Sequence, residues 1–352
     1  MSRRTVAALV ALVLVVGLGV VAWRGAVPYV TFRPGPTVNV LGDYDDKDII
    51  TVSGRTAYQD DGALRLVTVI PSGPEQKVSL PELVRAWVDP DVAVYPYGAI
   101  YRTQDTRQTV REQSSVEMAS SQDSAVAAAL GALDIPYTTA VKIAQVEEGG
   151  PADGKLEAGD VVLDVNGTEI TSAEQLTGLI RPLPIGSQVK VSVRRDGRER
   201  EVTMRTTSSP VDKKASAVRV SIAPGFEFPF DVDLNLDENI GGPSAGLMFA
   251  LGIYDTLTPG SMTDGKAIAG TGEIDPEGNV GPIGGIQQKL VGAQSDGAEL
   301  FLVPAANCAE AASGPYDPEK MRLVKVNTLD EAIDDVKAWV EDPDTELPRC
   351  AA

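Results

Sequence analysis

From Val6 to Ala22 the chain runs seventeen residues without a charged or strongly polar side chain, directly after Arg3 and Arg4. As a helix rising about 1.5 Å per residue, such a run is about 26 Å long, close to the roughly 30 Å hydrocarbon core of a bilayer. With Thr5 and Trp23 as its ends it is just long enough to span. A cleaved signal peptide normally has a shorter apolar region, although Val20-Val21-Ala22 is an acceptable small-residue cleavage site. The two leading arginines favour a cytoplasmic N-terminus, an asymmetry that Arg24 weakens. Residues 5–23 therefore read as a signal anchor, and in either case everything after residue 24 is expected outside the cytoplasm.

Export gives meaning to the two cysteines, Cys308 and Cys350, because disulfides persist outside the cytoplasm. An even pair in an exported chain is expected to bridge, here tying the C-terminal tail to the body. The 352 residues have room for two or three domains. A net charge of -19 repels a phosphate backbone, so no nucleic-acid partner is expected. The chain contains no histidine, which removes the usual general base, the usual zinc ligand and every Ser-His-Asp arrangement. Hydrolytic chemistry here needs another base.

Along the chain, Arg33-Pro34-Gly35-Pro36 reads as stiff, extended punctuation ahead of the folded part, and Leu64 to Ile70 as a strand. A Pro-rich stretch to about residue 98 reads as irregular. Helix-forming composition with apolar residues at helical spacing predicts a helix from Ser115 to Leu130. Between Pro136 and about Thr206 the pattern turns β-rich. A strand at Ala140 to Val146 is followed by Gly149-Gly150-Pro151-Ala152, then by Leu156-Glu157-Ala158-Gly159-Asp160-Val161-Val162-Leu163-Asp164-Val165-Asn166-Gly167, a short helix from Ser172 to Ile180 and a strand from Gln188 to Arg194. Asn166-Gly167 and Asp196-Gly197 are hairpin signals between alternating apolar runs. This segment resembles PDZ domains, which bind extended peptides by adding a strand to a sheet edge. The resemblance implies a groove between Val141 and Ile143 on the strand and Leu176 and Ile180 on the helix, residues that read equally well as core. The Gly-rich loop that captures a C-terminal carboxylate in that family is not evident at Tyr137-Thr138-Thr139-Ala140. After a polar linker at Lys213-Lys214, Ala217 to Ile222 reads as a strand, and helices alternate with strands up to Val340.

Gly242-Pro243-Ser244-Ala245-Gly246 fits the G-x-S-x-G elbow of α/β-hydrolases, a template that fails without histidine. Pro243 suits a first helical position, which puts Ser244 at a helix N-terminus where free N–H groups and the dipole stabilise negative charge. In Ile286-Gln287-Gln288-Lys289-Leu290-Val291-Gly292-Ala293, helical spacing sets Lys289 beside Ile286, Leu290 and Ala293, at the flank of a buried stripe. Burial pushes a lysine, with a reference pKa of about 10.4, towards the neutral form that can act as a base.

These motifs, Gly-Pro-Ser-Ala-Gly at 242–246, Thr-Gly-Glu at 271–273 and Pro-Ile-Gly-Gly-Ile-Gln-Gln-Lys at 282–289, resemble the proteolytic domain of Lon proteases, including the spacing from serine to lysine. With an anchor and a PDZ unit, essentially the whole chain resembles the YlbL-like PDZ-Lon peptidases. The resemblance implies Ser244 as nucleophile, Lys289 as general base and Thr271 as a hydroxyl that orients the lysine amine. Pro243 has no N–H, so the oxyanion donors are expected from the Ser244 backbone with Gly241 or Gly242. Two departures from cytoplasmic Lon stand out. Gly242 replaces the acidic residue often found there, and no ATPase module is visible. Gly260 to Ala267 nearly matches a phosphate-binding loop, but Ala267 stands where a magnesium-holding hydroxyl is needed and a strand-like run follows, so it reads as a turn. No cofactor or metal is expected. Ser187 and Lys190 match an S-x-x-K motif, yet i and i+3 on a strand point to opposite faces.

The expected fold is α+β, a Lon-type proteolytic domain with an inserted PDZ domain and an N-terminal transmembrane helix. Its parts are residues 30–136 and 215–340 of the peptidase, 137–208 of the PDZ unit and a tail at 341–352. The expected activity is ATP-independent, extracytoplasmic serine endopeptidase action on unfolded or extended polypeptides, the membrane being engaged through the N-terminal helix. Lon resemblance also implies a homo-oligomeric ring. A non-catalytic PDZ scaffold and a peptide-binding chaperone stay open on the residues alone.

Overall fold

The computed structural model describes residues 2–59, 61–76, 78–195, 197–236 and 242–350, and in the first helix it leaves the side chains of residues 18 and 21–24 outside that description. Helix α1 (Arg3–Arg24) carries exposed apolar side chains, among them Val6, Leu12, Val13 and Val16. Among the described residues no helix is long and apolar enough to cross a membrane. The anchor expected at 5–23 lies partly outside the described residues.

Strand β1 (Tyr29–Asn39) absorbs the Arg33-Pro34-Gly35-Pro36 stretch, correcting its reading as punctuation outside the fold. The register against the next strand, β2 (Ala63–Pro71), shifts between Pro34 and Thr37, a bulge of the kind that tolerates proline inside a sheet. The stretch expected to be irregular holds helix α2 (Leu80–Val88) and strand β3 (Ala93–Pro96). Pro81 sits in the first turn of α2, where a missing N–H costs no intrahelical bond. Helix α3 (Arg107–Ala132) begins well before the expected Ser115, because Thr106 and Thr109 cap it reciprocally.

The β-rich unit follows: β4 (Thr138–Val146), β5 (Val161–Val165), helix α4 (Ala173–Ile180) capped by Ser172, and the hairpin of β6 (Gln188–Arg195) and β7 (Arg198–Arg205). Its core holds Val141, Ile143, Leu156, Val165 and Val191. Asp160 is fully buried and is held by Arg195 through bonds of 2.6 and 2.7 Å, so its charge is paired. The sheet is completed from beyond the expected boundary at 208, because β8 (Val220–Glu227) pairs with β4 along its length, from Val220 opposite Val146 to Glu227 opposite Thr138. Its order is β7-β6-β5-β4-β8, with β8 outermost.

The chain then returns to the first unit. Asp231–Leu234 pairs with Ile50–Ser53, and α5 (Gly246–Leu257), β9 (Ala267–Gly270), α6 (Ile286–Ser295), β10 (Leu300–Pro304), β11 (Arg322–Val326) and α7 (Leu329–Glu341) follow. The main sheet runs β11-β10-β9-β2-β1-β3. It is parallel from β11 to β2 and antiparallel at β1 and β3. Strand β2, made before the β-rich unit, lies beside β9, made after it. One face of this sheet packs α3, α5 and α7 through Leu130, Phe249, Leu251 and Val336, and the other packs α6 through Ile286, Leu290 and Phe301. Each fully buried side chain of this size contributes about 1.5 to 3 kcal/mol. The segment after α7 is docked rather than loose: Lys325 N–H donates to the Pro348 carbonyl at 2.9 Å, and Cys308 forms a disulfide with Cys350.

Candidate active site

Gly242 approaches in extended conformation and Pro243 opens a single 3₁₀ turn, Pro243–Ala245, that runs into α5. Ser244 stands at this helical start, half-buried. Its N–H belongs to the first turn, where backbone donors have no intrahelical acceptor. Three bonds fix the turn. Ser121 Oγ on α3 donates to the Pro243 carbonyl at 2.9 Å, Gly272 N–H donates to the Ser244 carbonyl at 2.9 Å, and Leu247 N–H donates to the Gly272 carbonyl at 3.0 Å. Gly246 must be glycine, since a Cβ there would lie 2.8 Å from both Ser121 Oγ and Ile274 Cγ2.

Lys289 comes from α6, whose entry is tightly specified. Gly285 caps the helix at φ 70°, in the left-handed region, and a Cβ on it would meet Val69 Cγ1 at 3.0 Å. Ahead of it, buried Asn307 grips Ile283 from both sides, accepting from its N–H and donating to its carbonyl at 2.9 Å each. Lys289 is thereby held 2% exposed, with Nζ 2.7 Å from Ser244 Oγ and 2.8 Å from Thr271 Oγ1. Thr271 is fully buried, and its hydroxyl donates to the Ser244 carbonyl at 3.0 Å. Burial lowers the lysine pKa to about 7, against a smaller opposite pull from the Glu273 carboxylate. Burial and the neighbouring Glu117 in turn raise the pKa of Glu273, while Lys289 lowers it. A neutral amine has two N–H groups and one lone pair. With one N–H engaged by Thr271, the lone pair is available to the Ser244 hydroxyl, the arrangement that activates a serine without histidine.

Ser244 and Lys289 open into a cleft of about 510 Å³, walled by Phe32, Pro36, Gly284 and residues 67–71 of β2. The parallel pairing of β2 with β9 ends at Leu66 opposite Gly270, while β2 runs on to Pro71. Among the described residues, the edge of Val67–Pro71 on that side has no strand partner. The cleft is thus bounded by an open strand edge facing the serine. Gly242 lines it as well, whereas Gly241, the other expected oxyanion donor, lies outside the described residues.

The expected peptide groove needs correction. Val141 and Ile143 are core residues, 2% and 1% exposed, and their strand β4 is paired on both edges, by β5 and by β8. Leu176 and Ile180 do line a cleft, of about 710 Å³, but its facing wall is β8 with Val220 and Ile222. The open edge beside α4 therefore belongs to β8. Lys190 pairs with Glu201 across the β6–β7 hairpin, and the Gly260–Ala267 stretch is a turn into β9. Ser121 and Asn307, which hold the two halves of the site, escape sequence reasoning, since neither lies in a motif and each acts across a long separation.

Residues 112–206 match the family model of the PDZ domain, and residues 237–338 match that of the Lon protease (S16) C-terminal proteolytic domain. Lon protease 2 of Bacillus subtilis (strain 168) is 28% identical over 190 residues, 53% of this chain and 31% of that protein. Lon protease 1 of Sorangium cellulosum (strain So ce56) is 40% identical over 93 residues, 26% of this chain and 11% of that protein. The matches thus span about a third or less of these curated relatives. Among solved structures, the PDZ domain of the SdrC-like protein Lin2157 from Listeria innocua is similar over 24% of this chain and 92% of that one, at 25% identity and a TM-score of 0.22.

Proposed function

For a chain that joins a PDZ domain to a serine-type proteolytic domain of the Lon class, we propose that it is a membrane-anchored, extracytoplasmic endopeptidase working through a Ser244/Lys289 dyad without ATP. The observation that carries this reading is the 2.7 Å approach of a buried, neutral-leaning lysine amine to a serine hydroxyl at a helix start. Lys289 takes the Ser244 proton as Oγ attacks the peptide carbonyl, and the Ser244 N–H with a neighbouring glycine N–H receives the oxyanion. The lysine then delivers its proton to the leaving amine. Water, deprotonated by Lys289, adds to the acyl carbon, the bond to Oγ breaks to free the carboxyl product, and the lysine returns the proton to Ser244.

The open edge at Val67–Pro71 suits an extended polypeptide laid as an added strand, and the apolar wall of Phe32, Val67, Val69 and Ile70 suits apolar side chains beside the scissile bond. Folded domains do not offer such a strand, so the substrate is unfolded or extended chain. The disulfide supports an oxidising compartment, and the apolar N-terminal helix supports anchoring. The cleft between β8 and α4 is the place for a second extended segment, which would recruit substrate to the PDZ unit.

The test incubates the purified full chain and its Ser244→Ala variant with an unfolded, fluorescently labelled polypeptide, in the absence of nucleotide. Cleavage by the parent alone, with a covalent acyl adduct on Ser244, is the expected result. Equal cleavage by Ser244→Ala would sink the reading.

A further inference from the structure

Helix α2 is apolar over more of its circumference than its own domain covers. At about 100° per residue, Leu80, Leu83, Val84, Ala86, Trp87 and Val88 fill an arc of roughly 200°, leaving Glu82 and Arg85 on the polar side. Leu83 and Ala86 are buried against the domain, whereas Leu80 is 40%, Val84 49%, Trp87 62% and Val88 79% exposed. The second set forms one stripe, spaced i, i+4, i+7 and i+8, of large apolar residues turned away from the core.

The place of the stripe in the fold says what covers it. Helix α1 ends at Arg24, and Ala26–Val27 pairs at once with Val78–Ser79, which is followed directly by Leu80. The start of α2 is therefore fastened to the exit of α1, and the two helices lie against each other. If α1 occupies the hydrocarbon core, its exit lies at the membrane interface, the level at which tryptophan accumulates in membrane proteins. The exposed stripe of α2 then continues the apolar surface of α1.

We propose that α2 is an interfacial helix that seats the peptidase on the lipid bilayer, with Val84, Trp87 and Val88 buried at the boundary of headgroups and acyl chains. This rests on the anchor reading given above. With Glu82 and Arg85 offsetting each other and a chain charge of -19, the seat is made by apolar burial and not by attraction to anionic lipid. It therefore forms on zwitterionic vesicles and resists salt.

The experiment uses the full chain carrying Trp23→Phe, reconstituted into phosphatidylcholine vesicles whose acyl chains are brominated either near the headgroup or near the chain end. Trp339 lies in the core, 5% exposed, and supplies an unquenched background. The expected result is loss of most Trp87 emission with shallow bromines and a smaller loss with deep ones, unchanged by high salt and absent when Trp87→Phe is added. If the chain floats with the vesicles while Trp87 is quenched only by aqueous acrylamide, the anchor stands and the seat is refuted. Trp87 shielded from both quenchers would mean that a second copy covers the stripe, which also refutes it. A chain that does not float removes the anchor reading, and the seat falls with it.

Discussion

Ser121 donates a hydrogen bond from its hydroxyl to the Pro243 carbonyl at 2.9 Å, although the entire PDZ unit separates the two residues in sequence. The serine turn is thus braced by a helix laid down before the insertion. Two residues along α3, Asp123 accepts from Lys142 of β4 at 2.7 Å. The brace and a tether to the PDZ unit therefore share one stretch of helix.

Removing the brace should loosen the turn without touching the reacting atoms. We expect Ser121→Ala to cost about 1 kcal/mol of stability, the net worth of one hydrogen bond, and to lower kcat by about three- to tenfold. KM and the pH dependence should stay as in the parent. Denaturant titration together with steady-state kinetics on a fluorogenic peptide checks this, and an unchanged kcat would mean that the bond serves folding alone.

The Lys289 amine governs two pH dependences with different windows. As the base of the proposed dyad it must be neutral, so kcat/KM should rise about tenfold per pH unit below 7 and level off above its pKa of about 7. Stability behaves differently. The folded pKa is depressed from 10.5, so between about 7 and 10.5 the unfolded chain binds the extra proton and stability rises with pH, by at most about 1.4 kcal/mol per unit. Lys289→Met should abolish activity yet be about 1 to 3 kcal/mol more stable than the parent at neutral pH, with a flatter pH profile. Lys289→Arg should be inactive, because a guanidinium stays protonated. Turnover by a folded Lys289→Arg chain would remove the lysine as base.

The PDZ unit should be excisable, but only with its borrowed strand. Thr138 and Glu227 are register partners, so the cut ends of a chain lacking 138–227 already lie side by side and need only a short Gly-rich turn. That deletion should leave a cooperatively folding peptidase. Removing 138–207 alone leaves β8 without β4 and should give an aggregation-prone product. Size-exclusion chromatography and thermal melts of the two products decide the matter.

The Cys308–Cys350 bridge closes a loop with a sequence separation of 42. Chain-entropy reasoning puts its contribution at up to about 4 kcal/mol. Cys350 also packs against the cluster that contains Ile286 and Leu290 of α6. Reduction, or Cys350→Ser, should therefore lower Tm while leaving the Lys289 pH profile in place. A Tm unmoved by reductant would show that the tail is held by its backbone bonds alone.

Ser244, Thr271 and Lys289 were legible because each sits in a short motif whose chemistry depends on its neighbours. The supporting residues were not. Asn307 and Ser121 act through single side-chain bonds to distant backbone, which leave no periodic or motif trace. Helix α2 was hidden by Pro81, since proline suggests a break unless the first turn is recognised. The strand expected at Ala217 to Ile222 overlaps β8 but stops short of Glu227, since Pro224 and Gly225 argue against a strand, though an outer strand tolerates both. The consequence for Val141 and Ile143 was direct. Their alternation was correctly β, but only tertiary pairing could reveal that β4 is central in its sheet and not an edge.

The interruption of the main sheet also fixes when the molecule becomes dangerous to its neighbours. Strand β9 can slot in beside β2 only after the whole intervening unit has been translated, and Thr271 directly follows β9. Until then a partly synthesised chain holds α3 and the cleft wall but neither Ser244 nor Lys289. Ser244 and Lys289 emerge late, after the PDZ unit has had time to close on itself. Assembly of the candidate site is thus scheduled by the order of the polypeptide.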